Sequence, residues 1–428
     1  MGGTVENIRS RPTSDPVSRW LVSCSATVLL YLPMAMGLSG DLSDPYSLSD
    51  QCPPSFEKLT DRTCELRTLY EFYNSPPGFG GLRTPLPEHR ARFTPEQIDL
   101  GRYLFFDPIL SRDGDLSCAH CHHPELGLSD GLPQSIGAGG TGIGRARRGD
   151  TRLPRSAPTL WNVGFLTSLF WDGRAASLQE QAHGPLFSEK EMANSPQNLE
   201  TALNDNATYR ELFREAFRLD QSTPLTVDLV IEALAAFQSS LISLNSRYDR
   251  YAHGDESALT TKEQIGHTVF RSFVTRCSQC HIPPLFTNQQ LAVSGAPDYP
   301  GMEFDPGAQA TFNSSQLRGA FRVPTLRNVA LTAPYMHSGS LPDLASVVDF
   351  YNADRGHAVP AAEQLNIHWH IVNPTLSPED QEALIAFLKT LTDETSMPKI
   401  PATVPSGLAV VTTLSKPVDE NPNGSKEK

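Results

Sequence analysis

Two five-residue patterns, Cys118-Ala119-His120-Cys121-His122 and Cys277-Ser278-Gln279-Cys280-His281, concentrate the chemistry of this 428-residue sequence. Cys-x-x-Cys-His is the attachment pattern of a c-type haem. The two thiols add across the vinyl groups, and the adjacent histidine becomes an axial ligand of the iron. Cys118, Cys121 and His122 are thus expected to hold one covalently bound haem, and Cys277, Cys280 and His281 a second. The competing chemistry is a structural zinc site built from four thiolates. It has no use for a histidine at the same offset after both pairs, so haem attachment is the better account.

The two sites are expected to differ. Between His122 and Ala157 the only other imidazole is the neighbouring His123, and there is no methionine. The first haem therefore lacks a local sixth ligand and reads as open on its distal side, with His183 and His253 as candidates from further along the chain. His89, His267, His357, His368 and His370 have no ligand spacing to either motif and read as surface or core residues.

The elements that must position these groups repeat. Thr94-Pro95-Glu96 is a threonine cap followed by a first-turn proline. The helix it opens contains Gly101, Leu104 and Phe105 and stops at Asp107-Pro108, before the first motif. Thr261-Lys262-Glu263 opens a similar helix with Gly266, Val269 and Phe270 before Cys277. Helical stretches are also expected over Val227 to Leu244, Pro342 to Tyr351 and Pro378 to Leu391. The fold class is mainly α: two cytochrome c-like helical haem domains in one chain, related by divergent internal duplication. The expected divisions are 1–40, a signal peptide or N-terminal anchor; 41–90, a Pro-rich segment; 91–245, the N-terminal haem domain; 246–396, the C-terminal haem domain; and 397–428, a disordered tail.

Composition bounds the rest. At 39% hydrophobic and net charge −13, the chain can bury two ordinary cores, and it lacks the basic stripe that nucleic-acid binding needs. Arg9, Arg11 and Arg19 precede an apolar stretch from Trp20 to Met36, the pattern of a secretory signal with a long n-region. Ser23, Ser25, Thr27 and Pro33 make it a weak membrane span, and the apolar run follows Cys24 where a lipoprotein signal would precede it. Export to the periplasm is the favoured reading. Of seven cysteines, four belong to the motifs and Cys24 to the signal, leaving Cys52 and Cys64 as a disulfide pair or as two unrelated thiols.

Further segments carry a resemblance. They are Leu100-Gly101-Arg102-Tyr103-Leu104-Phe105-Phe106-Asp107-Pro108, Ala157-Pro158-Thr159-Leu160-Trp161-Asn162 and Phe170-Trp171-Asp172-Gly173-Arg174-Ala175-Ala176-Ser177-Leu178. Gln181-Ala182-His183-Gly184-Pro185, Val323-Pro324-Thr325-Leu326-Arg327-Asn328 and Leu331-Thr332-Ala333-Pro334-Tyr335-Met336-His337 follow. In this order the chain resembles the bacterial dihaem cytochrome c peroxidase family, which includes the MauG maturases, from about residue 94 to 391. The resemblance implies a distal pocket on the first haem formed by Gln181, Pro185 and Glu191. Glu191 would be the acid/base and Gln181 would orient peroxide or water. It also implies that Trp171 relays charge between the haems. Read without it, Glu191 is a solvated glutamate beside Glu189 and Lys190, and Trp171 is core packing.

For the second haem, the methionine-ligated peroxidases of the family carry their distal ligand where this sequence has Tyr351. A tyrosine there resembles the MauG-like branch. Tyr351 also follows Leu344, Val347 and Val348 at helical spacing and would be buried without binding iron. Met302 and Met336 are rival ligands. Thioether ligation favours Fe(II), whereas a phenolate favours Fe(III) and higher states. The family segment that carries a distal histidine on the first haem matches Gly144–Arg152 here and has none, which implies no reductive activation. The resemblance further implies a calcium ion held by the backbone carbonyls of Thr332 and Pro334 and by Ser156, a weaker ligand in place of the usual asparagine, with waters completing the site.

The expected activity is reduction of hydrogen peroxide, with electrons from a small redox protein, a cytochrome c or cupredoxin. The first alternative is a MauG-like oxidase that modifies Trp or Tyr side chains of a partner protein. The second is a dihaem electron-transfer cytochrome without catalysis. Oligomeric state is left open, a homodimer among the options.

Overall fold

The structure is a computed structural model, described over residues 46–73, His89 and 92–414. The Trp20 to Met36 stretch, Pro76, Pro77, Pro85, Pro87 and residues 415–428 lie outside the described residues. Among the described residues no helix is long and apolar enough to cross a membrane.

The order is β1 (Phe56–Lys58), β2 (Cys64–Leu66), α1 (Leu69–Phe72), α2 (Pro95–Phe106), α3 (Cys118–Cys121), α4 (Leu178–Phe187), α5 (Pro196–Asp205), α6 (Ala207–Phe217) and α7 (Val227–Ser239). Then come α8 (Arg247–Ala252), α9 (Thr261–Arg271), α10 (Cys277–Cys280), β3 (Leu291–Val293), α11 (Ala308–Phe312), β4 (Ala320–Arg322), α12 (Leu344–Asn352) and α13 (Pro378–Lys389). The strands form two small antiparallel pairs, β1 with β2 and β3 with β4, the latter in the register Leu291 opposite Arg322. Cys52 and Cys64 form a disulfide that ties the lead-in to β2.

Local signals set the helix ends. Thr94 accepts from the Gln97 amide while the Gln97 side chain returns to the Thr94 amide, and Pro95 fills the first turn. Asp107 stops α2 because Pro108 disfavours helical backbone in the residue before it. The Asp107 side chain then accepts from the Ile109 amide. At α9 the cap is Thr260, one residue before the threonine singled out from sequence.

The duplication is visible in geometry. α2 crosses α7 so closely that a Cβ on Gly101 would lie 1.9 Å from the Ala233 carbonyl oxygen; one on Gly266 would lie 1.9 Å from the Ala383 oxygen where α9 crosses α13. Only glycine permits either approach. Thr159 donates to the Gly127 carbonyl (2.7 Å) and Thr325 to that of Leu285 (2.6 Å). Asn162 and Asn328 both adopt left-handed backbone. Their amides donate to the carbonyls of Leu241 and Leu391, and their side-chain oxygens accept from the amides of Ser243 and Asp393. Each half surrounds its own core: Leu104, Phe105, Tyr209, Phe213 and Phe237 in the first, Phe270, Phe286, Leu384 and Phe387 in the second.

These asparagines also explain why α7 and α13 end at Ser239 and Lys389, short of the expected Leu244 and Leu391. The backbone beyond each helix is taken by an asparagine distant in sequence.

The tail requires a correction. Residues 397–414, expected to be disordered, form an extended strap on the first half. Val404 and Val411 are buried, and the Tyr46 hydroxyl donates to the Val404 carbonyl (2.6 Å). Ser406 donates to Asp107 (2.6 Å), His123 Nε2 pairs with the Thr412 carbonyl (3.1 Å), and the Leu414 amide donates to Glu125 (2.9 Å). A Pro- and Ser-rich composition rules out helix but not an extended strand whose polar groups are met by a folded surface.

Candidate functional site

Both motif histidines are prepared as ligands in the same way. α3 ends at His122, whose Nδ1 lies 3.0 Å from the Leu128 carbonyl. α10 ends at His281, whose Nδ1 lies 3.0 Å from the Phe286 carbonyl and 3.1 Å from that of Pro324. Leu128 and Phe286 both sit at positive φ, which turns these carbonyls toward the rings. Burial lowers the proton affinity of both imidazoles. Each is therefore neutral with its proton on Nδ1, leaving the Nε2 lone pair for a metal. This fits an axial haem ligand at each motif. The two cysteine pairs do not converge: among the described residues the one gathering of three metal-capable side chains is Cys280, His368 and His370. A four-thiolate zinc site is excluded.

The second motif opens into a large, mainly apolar cavity lined by Cys277, Cys280, His281, Tyr351, Trp171 and Arg322. α12 buries Leu344 and Val348 in the second core and thereby carries Tyr351 to the cavity wall. Burial, with the two nearby cysteines, pushes the phenol well above its ordinary range. Only a cation could displace its proton near neutral pH. Met336 also lines this cavity, whereas Met302 is not among its lining residues.

Ser156, Thr332 and Pro334 line the same cavity. The Ser156 hydroxyl already donates to the carbonyls of Met336 and His337 (3.1 and 3.2 Å), and Thr332 donates to that of Val329 (3.2 Å). No gathering of three acidic or imidazole ligands lies there among the described residues. The backbone carbonyls of Thr332 and Pro334 are oxygen donors of a kind calcium takes, whereas the Ser156 hydroxyl is already committed to two carbonyls; no step below uses the ion.

At the first motif, α4 starts from the Ser177 cap and carries Gln181 and Pro185, and Glu191 lies just beyond its end. Burial raises the Glu191 carboxyl, offset in part by the Ser188 side chain and the Arg174 charge. That carboxylate acts on Cys121, which places it toward the first attachment site. The 136–142 loop rests on the same stretch. A Cβ on Gly137 would lie 1.8 Å from the Lys190 carbonyl oxygen and 3.1 Å from the Glu191 Cα.

This loop is fastened by Arg147. The buried guanidinium donates to the carbonyls of Ile136 (2.7 Å), Gly142 (3.0 Å) and Gly137 (3.0 Å). Neither distant candidate for a distal imidazole serves the site. His183 is exposed on α4, and His253 stacks on Tyr73 at 4.3 Å.

Trp171 joins the halves. Its indole donates to the Ser156 carbonyl (2.9 Å), and its own carbonyl accepts from the Arg322 amide (2.7 Å). Its neighbour Phe170 packs on the first core. Asp172 pairs with Arg155 and Arg174 (2.8 Å each), and Arg155 reaches on to Asp305 (2.6 Å). Sequence reasoning missed Arg147, Arg322 and Asp130, a carboxyl near Cys121 that burial pushes up to about 6. The available signal was a charge inside an apolar run, as in Phe321-Arg322-Val323.

Residues 95–257 match a family described as di-haem cytochrome c peroxidase. The chain is 35% identical over 320 residues to the methylamine utilization protein MauG of Methylorubrum extorquens, covering 74% of this chain and 85% of that one. It is 31% identical over 362 residues to the cytochrome c551 peroxidase of Pseudomonas aeruginosa, covering 84% and 90%. Among solved structures it is similar to a MauG-like protein associated with microbial copper homeostasis (TM-score 0.63, 32% identity, 74% of this chain and 95% of that one). It is also similar to the diheme peroxidase BthA of Burkholderia thailandensis (TM-score 0.60, 25% identity, 85% and 99%).

Proposed function

The chain belongs to the di-haem cytochrome c peroxidase family, a family of peroxidase-type oxidoreductases, and from that premise we propose that it reduces hydrogen peroxide at an open haem held by Cys118, Cys121 and His122. When bound, the haems supply the iron redox chemistry. The observation that carries the reading is the packing of an imidazole-free loop, fastened by Arg147, against Glu191, a half-buried residue whose carboxyl is raised by desolvation. Glu191 takes a proton from peroxide and returns it to the leaving oxygen, a role that suits a carboxyl whose proton affinity is raised by burial. Gln181 orients the substrate and Pro185 walls the pocket. With no histidine in the Gly144–Arg152 segment, the distal side needs no reduction to clear it.

Trp171 would relay oxidising equivalents toward the second site, where His281 and Tyr351 would hold the haem iron. Its place in the second cavity wall, next to Phe170 in the first core, supports this. Electrons come from an external donor. Phe273, Val274, Ile282 and Trp369 are large outward-facing apolar side chains around the second motif, a surface suited to a small redox protein. The Cys52–Cys64 disulfide supports an oxidising compartment, and we place the protein in the periplasm.

A second reading is favoured by Tyr351 in the second cavity: a MauG-like oxidase whose electron donor is a Trp or Tyr side chain of a partner protein. An absorption and EPR spectrum of the resting ferric protein, repeated after one equivalent of peroxide, tests both. One high-spin and one low-spin haem with a rapid spectral response are expected. Two low-spin haems inert to peroxide would leave only the non-catalytic electron-transfer cytochrome.

A further inference from the structure

Three arginines are buried among the described residues, and two are fully accounted for. Arg327 forks onto Asp249 in a fully buried ion pair and also donates to the Pro284 carbonyl. Arg147 spends its donors on three backbone carbonyls. Arg322 differs. Its side chain makes one hydrogen bond, from Nε to the Phe170 carbonyl at 3.3 Å. The two terminal nitrogens meet no protein acceptor among the described residues, and the residue lines the second cavity. No carboxylate acts on it, and burial alone pulls its proton affinity down to about 10, which leaves it charged at neutral pH.

An uncompensated buried guanidinium is strongly unfavourable, because the charge has lost its water without gaining a counter-charge. Among the described residues no carboxylate neutralises it: Asp172, beside Trp171 in the chain, is committed to Arg155 and Arg174, and Asp305 to Arg155. β4 fixes the position of Arg322: its amide holds the Trp171 carbonyl, and Leu291 of β3 lies opposite. Arg322 thus lines the same cavity as Cys277 and His281, with two terminal donors that no protein acceptor takes up among the described residues. That geometry matches a carboxylate bidentately.

We propose that Arg322 is a buried anion site that takes a propionate carboxylate of the second haem. The inference rests on the reading that the second haem occupies this cavity. It makes Arg322 both an anchor of the cofactor and a fixed positive charge beside Trp171. A cation at this place favours the reduced, more negative state of the haem, so it raises the second haem's reduction potential relative to a neutral residue.

The test compares wild-type holoprotein with Arg322→Gln and Arg322→Lys by spectroelectrochemistry of the second haem and by its propionate bending mode in resonance Raman. Arg322→Gln is expected to shift the second haem's potential to more negative values and to move the propionate mode. Arg322→Lys is expected to hold the potential nearer wild type while moving the mode, because one ammonium replaces a fork. Two attached haems with potential and mode unchanged in Arg322→Gln would overturn the proposal. Should that variant fail to retain haem, an unchanged propionate mode in Arg322→Lys overturns it instead. A wild-type potential that follows chloride concentration would show an exchangeable anion at Arg322 and no propionate. A wild-type second site without haem would overturn the cavity reading and this inference together, a result the haem stoichiometry reports separately.

Discussion

The indole of Trp171 donates to the carbonyl of Ser156 across 2.9 Å, which fixes the ring in the wall of the second cavity while its chain neighbour Phe170 packs on the first core. A relay between two redox centres needs this fixity. If the relay reading holds, Trp171→Phe leaves both haems attached and the initial peroxide reaction intact, but slows the spectral response of the second haem. Stopped-flow absorption with separate haem signatures measures it; an unchanged response of the second haem would end the relay assignment.

Tyr351 and His281 line one cavity, and burial raises the Tyr351 phenol. Tyr351→Phe is expected to alter the second haem's ferric spectrum and leave the first haem's unchanged. Tyr351→Met is expected to raise the second haem's potential, since a thioether favours Fe(II). A second-haem spectrum indifferent to Tyr351→Phe would transfer attention to Met336, which lines the same cavity.

Glu191→Gln removes the proposed base without changing its size much. Peroxide reactivity is expected to drop about 10²–10⁴-fold with both haem spectra retained. The pH dependence has a definite sign. A base must be ionised, so activity is lost as pH falls through its pKa, and burial places that loss above the ordinary glutamate range. An acid limb that is unchanged in Glu191→Gln would exclude Glu191 as its source.

Gly101→Ala and Gly266→Ala test the duplicated crossing. Helix propensity alone would favour alanine by about 0.5–1 kcal/mol. The added Cβ would meet a carbonyl oxygen at 1.9 Å in both cases, and overpacking of this kind costs about 1–3 kcal/mol. Both variants are therefore expected to lower Tm, each in its own half; stabilisation by either would contradict the close approach.

Asp249→Ala leaves Arg327 as a fully buried, unpaired charge. Loss of one partner of such a pair costs about 3–5 kcal/mol. Chemical denaturation should report a loss of that order, against little or none for removing Lys262 from its exposed pair with Glu382.

Ending the chain at Ser396 tests the strap. Burial of Val404 and Val411 contributes about 1.5–3 kcal/mol each, and Asp107 loses its Ser406 partner. The truncated protein is expected to melt earlier, starting in the first half; an unchanged melting curve would restore the disordered-tail reading.

The parts legible in the sequence were those written in local chemistry. Both haem motifs and the cap at Thr94 act through neighbours a few residues away. Gly101 and Gly266 were legible as a repeated position in the paired helices, but the carbonyls they approach, on Ala233 and Ala383, belong to helices distant in sequence. The strap was not legible, because its hydrogen bonds go to Asp107, His123 and Glu125, about 290 residues earlier. The ends of α7 and α13 were misplaced for the same reason: Asn162 and Asn328 take the backbone that propensity would have kept helical.

The sequence by itself determined that two haems are attached and that the attachment units are duplicated, since Cys-x-x-Cys-His and the helix signals around it are short-range patterns. The missing imidazole and methionine after the first motif already set the two sites apart in the sequence; only the tertiary structure decided which distant side chains surround each. Folding brought the Gly137 loop against Glu191, and Tyr351, His281 and Arg322 into one cavity, with no ion-pair partner for Arg322 among the described residues. Burial then set the charge state of each group, and burial depends on packing between segments that no local spacing records.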